Sequence, residues 1–137
     1  MTNVYDLFET DKSIEENGID LDYGEFQIKV ARSGGANQKY NKTLEHLSKP
    51  HRRAIQTETI DAKTIQKLLS DAHAKAVVIG WEGVKDRDGK EIKFSVENCI
   101  KLFDDLPDLF EDVREQAAKT GLFRKVILEE SAKNLSK

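Results

Sequence analysis

The fold is decided by residues 19–30, which read IDLDYGEFQIKV. Apolar and polar side chains alternate on both sides of Gly24, and a period of two is typical of a strand with one buried face. The stretch therefore predicts a β-hairpin that turns at Gly24-Glu25 and buries one face. A cross-strand pair of Asp22 with Lys29 fits this hairpin.

After the hairpin, the apolar residues recur at helical spacing. Asn37 is a good N-cap for a helix that Pro50 stops. The clearest amphipathic helix starts after Thr59 or Asp61, either of which fits as its N-cap, and its apolar stripe is predicted to run to Ile79.

Three signals organise the rest of the chain. Asp88-Gly89 is a favoured hairpin turn and predicts a small second hairpin near residues 81–94. Ser95 predicts a helix start, and Pro107 predicts the start of another segment. The predicted fold class is α+β, with an N-terminal β-hairpin followed by a mainly helical chain. We expect residues 1–137 to form a single domain in which 1–17 are a short helix or a mobile arm and 131–137 fray.

The composition excludes several protein classes. A chain of 137 residues fits one domain, and its one cysteine excludes a disulfide framework or a multi-cysteine zinc site. The longest apolar run is Ala76–Ile79, far short of a membrane span, and the first residues do not resemble a secretory signal. We therefore expect a soluble cytoplasmic protein.

The net charge of −3 conceals two opposed blocks. Residues 1–26 carry eight acids and one lysine, whereas residues 27–53 carry seven basic residues and one glutamate. Two such blocks can neutralise each other within one chain, or they can pair head to tail between copies. Nucleic-acid binding by the basic block is a weaker alternative, because the chain is acidic overall and lacks a nucleic-acid-binding motif.

No motif predicts catalysis, a cofactor or a metal ion. Gly34-Gly35 lacks the lysine of a P-loop, which leaves a structural turn or an anion site at a helix N-terminus. Asp86–Gly89 lacks the outer acidic ligands of a calcium loop, and no two histidines have metal-ligand spacing. Cys99 lies on an apolar helical stripe, where a thiol acts as a small hydrophobe. We expect a protein that is not an enzyme.

Two other features have a structural and a functional interpretation. The acidic residues of 104–115 recur at helical spacing, which favours a solvated face over a docking face for a basic partner. Trp81 follows a glycine at the predicted end of a helix. There it favours a place at the edge of the core with its N–H bonded to backbone, the alternative being an interface anchor.

Several short motifs together resemble a known family of small phage proteins. The motifs are GWEGV at 80–84, DG at 88–89, FS-x-EN at 94–98, LPDLF at 106–110, LDYG at 21–24, AR-x-GGAN at 31–37 and KP-x-RRA at 49–54. The chain is similar over residues 3–130 to the tail assembly chaperones of long-tailed bacteriophages. This resemblance implies a non-enzymatic protein that binds the tape measure protein, keeps it soluble and helps to recruit tail tube subunits. It also implies action in the host cytoplasm and absence from the mature virion.

A groove between amphipathic helices could cover an apolar face of the tape measure protein. The candidate anchors are Leu106, Leu109, Phe110, Leu122 and Phe123, although all five could equally be core. A candidate charged interface consists of Lys39, Lys42, Arg52 and Arg53. Two alternatives stay open, namely a structural tail or connector component and a nucleic-acid-binding regulator that uses residues 29–53.

Overall fold

The computed structural model of the chain describes residues 3–119. Its helices and strands, in chain order, are α1 (Val4–Phe8), α2 (Lys12–Asn17), β1 (Ile19–Asp22), β2 (Gln27–Val30), α3 (Gln38–Ser48), a 3₁₀ turn (Lys49–His51), α4 (Arg52–Gln56), α5 (Ala62–Ala76), β3 (Val78–Glu82), α6 (Val96–Asp105) and α7 (Pro107–Ala118). The predicted α+β class is confirmed.

The predicted N-terminal hairpin is confirmed as β1 and β2, which pair antiparallel with Ile19 opposite Val30. Gly24 has a φ of 91° in the connecting turn, a conformation that glycine adopts at little cost. The register places Asp20, and not Asp22, opposite Lys29. The predicted pairing of Asp22 with Lys29 is therefore wrong by two residues, because Asp22 lies opposite Gln27.

The amphipathic helix after Asp61 was predicted to run to Ile79, but a third strand, β3, forms where its last turn was predicted. Helix α5 ends at Ala76, and Val78–Glu82 pairs antiparallel with β2 to give the sheet order β1-β2-β3. The register shifts between Lys29 and Val30, so Ile79 is an extra residue and is exposed. Ile79 matched the helical spacing, but β-branched side chains pack well on a pleated sheet and β2 supplies the hydrogen-bonding partner.

The predicted second hairpin is reduced to a short reversal. Gly89 has a φ of 82°, and the only bridge recorded outside the strands in the described part of the chain joins Lys85 to Glu91. The amide of Ile92 donates to the Val84 carbonyl at 2.8 Å. The turn at Asp88-Gly89 is thus confirmed, whereas Trp81 and Glu82 pair with β2 instead of with residues 93–94.

The core lies between one face of the sheet and helices α5, α6 and α7. Ile28 and Val30 are fully buried, while their neighbours Gln27 and Lys29 are exposed, as a half-buried strand requires. The buried apolar cluster consists of Leu21, Ile28, Val30, Ala74, Val77, Val78, Cys99, Phe103, Phe110, Val113 and Ala117. The Tyr23 hydroxyl donates to Asp112 at 2.6 Å, which ties the hairpin to α7.

Two of the predicted helix caps are confirmed and a third is wrong. The side chain of Asp61 accepts from the Thr64 amide at 2.7 Å, and that of Ser95 accepts from the Asn98 amide at 3.0 Å. Asn37 precedes α3 but makes no side-chain cap. Its amide group is buried and instead donates to the carbonyls of Arg32 and Ala76, both at 2.9 Å. The Asn37 side chain is therefore used in a contact with Ala76, far along the chain, and not in a local helix cap.

Candidate partner-binding surfaces

An apolar depression of about 680 Å³ lies between the end of α3, helix α5 and the α6–α7 junction. We call it the helix groove. The apolar residues that line it are Leu47, Leu68, Phe103, Pro107 and Phe110. Leu47 and Leu68 are half-buried, so part of each side chain is available to a partner. The groove lies where α3 and α6 both pack against the amphipathic α5.

An ion-pair cluster lies at one rim of the helix groove. The Nζ of Lys67 lies 3.0 Å from Asp71 on its own helix and 2.9 Å from Asp104 on α6. Burial by itself would lower the pKa of Lys67, but the hydrogen bonds and charges of the two carboxylates raise it above its ordinary value. Lys67 therefore links α5 to α6 across the rim.

One polar group at the helix groove lacks a partner. Ser70 is 5% exposed and lines the groove, and its Oγ has no hydrogen bond within the described residues. A buried hydroxyl without a partner is costly, and partners such as a bound ligand or an ordered water commonly supply the missing bond. The groove thus combines apolar contacts with one unused hydrogen-bonding group.

A basic hollow of about 600 Å³ adjoins the helix groove. It is lined by Lys39, Lys42, Thr43, His46, Leu47 and Lys75, and Leu47 lines both depressions. The three lysines are exposed, and none has an ion-pair partner within residues 3–119. Because no acidic side chain within residues 3–119 lines the hollow, that part of the chain presents positive charge beside an apolar groove.

The two opposed charge blocks do not neutralise each other within the part of the chain that the structure describes. A single ion pair joins them there, between Glu15 and Arg32 at 3.3 Å. Arg52 and Arg53 are exposed on α4 and have no ion-pair partner in that part. Of the predicted charged interface, Lys39 and Lys42 share the basic hollow, while the two arginines lie on a separate short helix.

The predicted anchors occupy different environments. Leu106 is 47% exposed at the α6–α7 junction, Leu109 packs half-buried against the core, and Phe110 is 1% exposed within it. Phe110 forms part of the groove wall but offers a partner almost no surface. Leu122 and Phe123 lie outside the described residues.

Leu106 belongs to a second depression of about 550 Å³, which we call the loop groove. Ile92, Leu102 and Leu106 supply its apolar side chains, and charged residues of the 85–88 loop line its edge. Leu106 lines the loop groove and the next residue, Pro107, lines the helix groove, and the two depressions share no lining residue among residues 3–119. Leu47 and Leu68, which sequence analysis did not identify as candidate anchors, line the helix groove.

The acidic residues of 104–115 are only partly a solvated face. Asp104 pairs with Lys67, Glu111 accepts from Gln66 at 2.7 Å, and Asp112 accepts from Tyr23. These bonds join α7 and α6 to α5 and to the hairpin. The carboxylates are therefore partly structural, and their partners lie too far along the sequence for periodicity to reveal.

The Gly34-Gly35 turn holds an anion from its own chain. The Glu15 carboxylate accepts from the Ala36 amide at 2.6 Å, from the Thr10 hydroxyl, and lies 3.3 Å from Arg32. A side chain at Gly35, whose φ is 55°, would clash with this carboxylate. Burial alone would raise the pKa of Glu15, but these bonds and the Arg32 charge lower it below 4.5. The turn therefore has a structural role, because it binds a carboxylate of its own chain.

His73 and Cys99 are structural side chains. The His73 ring lies edge-on to Tyr40 and Phe110, with centroids 4.9 Å and 5.2 Å away, and its Nδ1 bonds the Leu69 carbonyl at 2.7 Å. Burial lowers the pKa of His73 to about 4, so the ring is neutral at pH 7. Burial likewise raises the pKa of Cys99 to about 12, so its thiol is protonated and unreactive.

The position of Trp81 agrees with the core-edge interpretation. Its indole N–H donates to the Ile92 carbonyl at 2.7 Å, and its ring stands edge-on to Phe94 at 5.1 Å. This contact holds the 84–92 loop against β3. One wall of the loop groove is fixed in this way.

No group of three or more His, Cys, Asp or Glu side chains within residues 3–119 could hold a metal ion. None of the helices in that range has the length and apolar character needed to cross a membrane.

Comparison with known proteins gives one family and no individual relative. The family profile described as YdaY prophage protein matches residues 35–134, well over half of the 137-residue chain. No curated protein and no solved structure matches the chain significantly. The matched region includes α3 to α7, which form the basic hollow and both grooves. The chain belongs to the YdaY prophage protein family.

Proposed function

We propose that this prophage protein is a tail assembly chaperone that binds the tape measure protein, keeps it soluble and helps to recruit tail tube subunits. It acts without catalysis in the host bacterial cytoplasm and is absent from the mature virion. The observation that carries this proposal is the helix groove, a depression between packed helices that is lined by five apolar residues.

The chemistry of the groove fits an amphipathic helix. Such a helix lays apolar side chains at positions i, i+3, i+4 and i+7 into an apolar channel. Leu47 and Leu68 supply partly exposed contacts in the helix groove, and Leu106 supplies one in the loop groove. A long helical tape measure protein with uncovered apolar faces would aggregate, and burial of those faces in successive grooves would prevent it.

Co-expression with the tape measure protein of the same prophage tests the proposal. We expect the tape measure protein to become soluble and to co-purify only when this chain is present. Leu47→Asp places a charge in the helix groove and Leu106→Asp places one in the loop groove. Each variant should reduce recovery of the complex by roughly tenfold. Val96→Asp is the matched control, because Val96 is 37% exposed and lines neither groove.

The outcomes are distinct if the variants keep the far-ultraviolet circular dichroism of the wild type. Undiminished binding by both groove variants would remove the grooves from the mechanism, and absence of any complex would reject the chaperone. Phe110 is not a useful target, because a charge at a side chain 1% exposed would disrupt the core. Recovery of the chain in purified particles would instead support a structural tail or connector component.

The basic hollow favours one further candidate, a nucleic-acid-binding regulator. Lys39, Lys42 and Lys75 are exposed without ion-pair partners in the described part of the chain. Retention on DNA or RNA that falls steeply with salt, and that is lost in a Lys39→Glu and Lys42→Glu double variant, would support this candidate. Absence of such retention would exclude it.

A further inference from the structure

One face of helix α3 carries basic side chains and ends on an apolar one. Lys39, Lys42, Thr43, His46 and Leu47 are spaced as i, i+3, i+4, i+7 and i+8, which is one continuous stripe of an α-helix. All five line the basic hollow, and we call this stripe the α3 face. Its two lysines and its histidine are exposed, whereas its threonine and its leucine are half-buried.

The α3 face leads from the basic hollow into the helix groove. The start of α3 lies beside the end of α5, since the ring centroids of Tyr40 and His73 are 4.9 Å apart. The end of α3 lies beside earlier turns of α5, since Leu47 and Leu68 line the same groove. Eight residues of helix separate Leu47 from Lys39, a distance of about 12 Å along the axis. Apolar contacts and positive charges therefore follow one another along α3.

The charge of the hollow is available to a partner. Lys39, Lys42 and Lys75 have no ion-pair partner within residues 3–119, whereas Lys67 at the groove rim is paired with two carboxylates. A partner that suits the surface must supply negative charge to the hollow and apolar side chains to the groove. An amphipathic helix with acidic residues supplies both.

Nucleic acid fits this surface less well. It supplies phosphates to the lysines, but its bases bind mainly by stacking on aromatic side chains. None of the hollow's lining residues within 3–119 is Phe, Tyr or Trp. The apolar contribution of Leu47 would also go unused, so the observations favour a protein helix.

We propose that the α3 face and the helix groove together bind an amphipathic helix that carries acidic side chains about two turns away from the apolar side chain that contacts Leu47. The apolar contacts supply most of the affinity, and the charges select the segment and its direction. The inference rests on the proposed function in so far as it names the tape measure segment that is bound, an acidic amphipathic one. The surface itself can be tested without the tape measure protein.

Synthetic helical peptides of about 20 residues test the chemistry of the partner by fluorescence anisotropy with the full chain. Both peptides carry the same leucine stripe. The acidic peptide has glutamates two turns from its central leucine, and the basic peptide has lysines at those positions. We expect the acidic peptide to bind at least roughly tenfold more tightly at low salt, and the difference to shrink as salt rises. Equal affinities, or no binding of the acidic peptide, would overturn the inference.

Charge reversal on the chain tests the location of the site. Lys39→Glu with Lys42→Glu should make the chain prefer the basic peptide. Lys90→Glu with Lys93→Glu is the matched control, because both lysines are exposed and line neither the hollow nor the two grooves. The control makes the same change in net charge and should keep the preference for the acidic peptide. An equal shift in both double variants would reject the α3 face as the site.

Three further results separate this inference from its competitors. Loss of DNA retention in the Lys39→Glu and Lys42→Glu variant without a change in peptide binding would assign the lysines to nucleic acid and overturn the inference. A wild-type dimer that the same variant dissociates would assign the face to a second copy, with the same consequence. Tape measure protein that co-purifies equally well with this variant would leave the chaperone function standing and reject the inference.

The opposite combination is equally clear. Selective binding of the acidic peptide, in a chain that never co-purifies with the tape measure protein, would support the inference and reject the chaperone function.

Discussion

The attachment of the N-terminal helices depends on one buried carboxylate, and Glu15→Gln tests it. Glutamine keeps the shape of the side chain and removes its charge. The carboxylate accepts from the Thr10 hydroxyl and from the Ala36 amide at 2.6 Å, and it lies 3.3 Å from the Arg32 guanidinium. The variant therefore changes the electrostatics of the glycine turn with little change in packing.

The expected loss follows from these contacts. A hydrogen bond to a charged group contributes about 1.5–3 kcal/mol, and removal of one partner of a buried ion pair costs about 3–5 kcal/mol. The Arg32 side chain is 20% exposed, so water can partly solvate its charge when Glu15 is neutral. Glutamine also keeps an acceptor oxygen. We expect the free energy of unfolding to fall by about 2–4 kcal/mol at pH 7.

Urea denaturation followed by the fluorescence of the one tryptophan, Trp81, measures this loss. Glu16→Gln is the matched control, because Glu16 is the exposed neighbour on α2 and should change the free energy by no more than about 0.5 kcal/mol. The folded state lowers the pKa of Glu15 below 4.5, so its contribution is complete above pH 4.5. The difference between wild type and variant should shrink as pH falls below that value.

Two results would refute this reasoning. A Glu15→Gln protein as stable as the wild type at pH 7 would show that the carboxylate charge does not hold the turn. A stability difference that persists unchanged at pH 3 would show that the loss arises from packing and not from charge.

Three further predictions concern single side chains. Trp81→Phe removes the bond to the Ile92 carbonyl and should cost about 1–3 kcal/mol in urea denaturation, and an unchanged midpoint would contradict the role assigned to that bond. Asn37→Ala removes two bonds to backbone carbonyls and should cost about 2–4 kcal/mol, against no more than about 0.5 kcal/mol for the exposed Asn41→Ala. The folded state lowers the pKa of His73 from 6.5 to about 4, so the unfolded chain binds the extra proton and stability falls by up to about 3 kcal/mol as pH drops from 7 to 4. His73→Phe should remove that part of the pH dependence, and an identical pH profile for the two proteins would assign it to other groups.

Local signals predicted much of the architecture. Alternation around Gly24 indicated the first hairpin, Asp61 and Ser95 indicated two helix starts, and Trp81 fitted the edge of the core. Each of these depends on residues close in sequence, where periodicity and hydrogen-bonding geometry are directly readable.

The binding surfaces were less predictable, because each is assembled from separate elements. The helix groove combines residues of α3, α5, α6 and α7, so no single motif contains it. The predicted anchors were chosen by hydrophobicity, which does not distinguish the exposed Leu106 from the buried Phe110. Leu47 fits the helical spacing of the apolar residues between Asn37 and Pro50, but that spacing does not show that its side chain lines a groove.

The sequence by itself determined the class of the fold and the imbalance of charge between its first two segments, since both follow from the order of residue types. Tertiary structure decided the rest. Ile79 fits the helical period of α5, but pairing with β2 makes Val78–Glu82 a strand, because unpaired backbone groups of a sheet edge gain partners there. Asn37 and Glu15 are local cap and surface residues by type, yet both bond to groups far along the chain. Burial decides these cases, because a buried polar group must find a partner wherever the fold provides one.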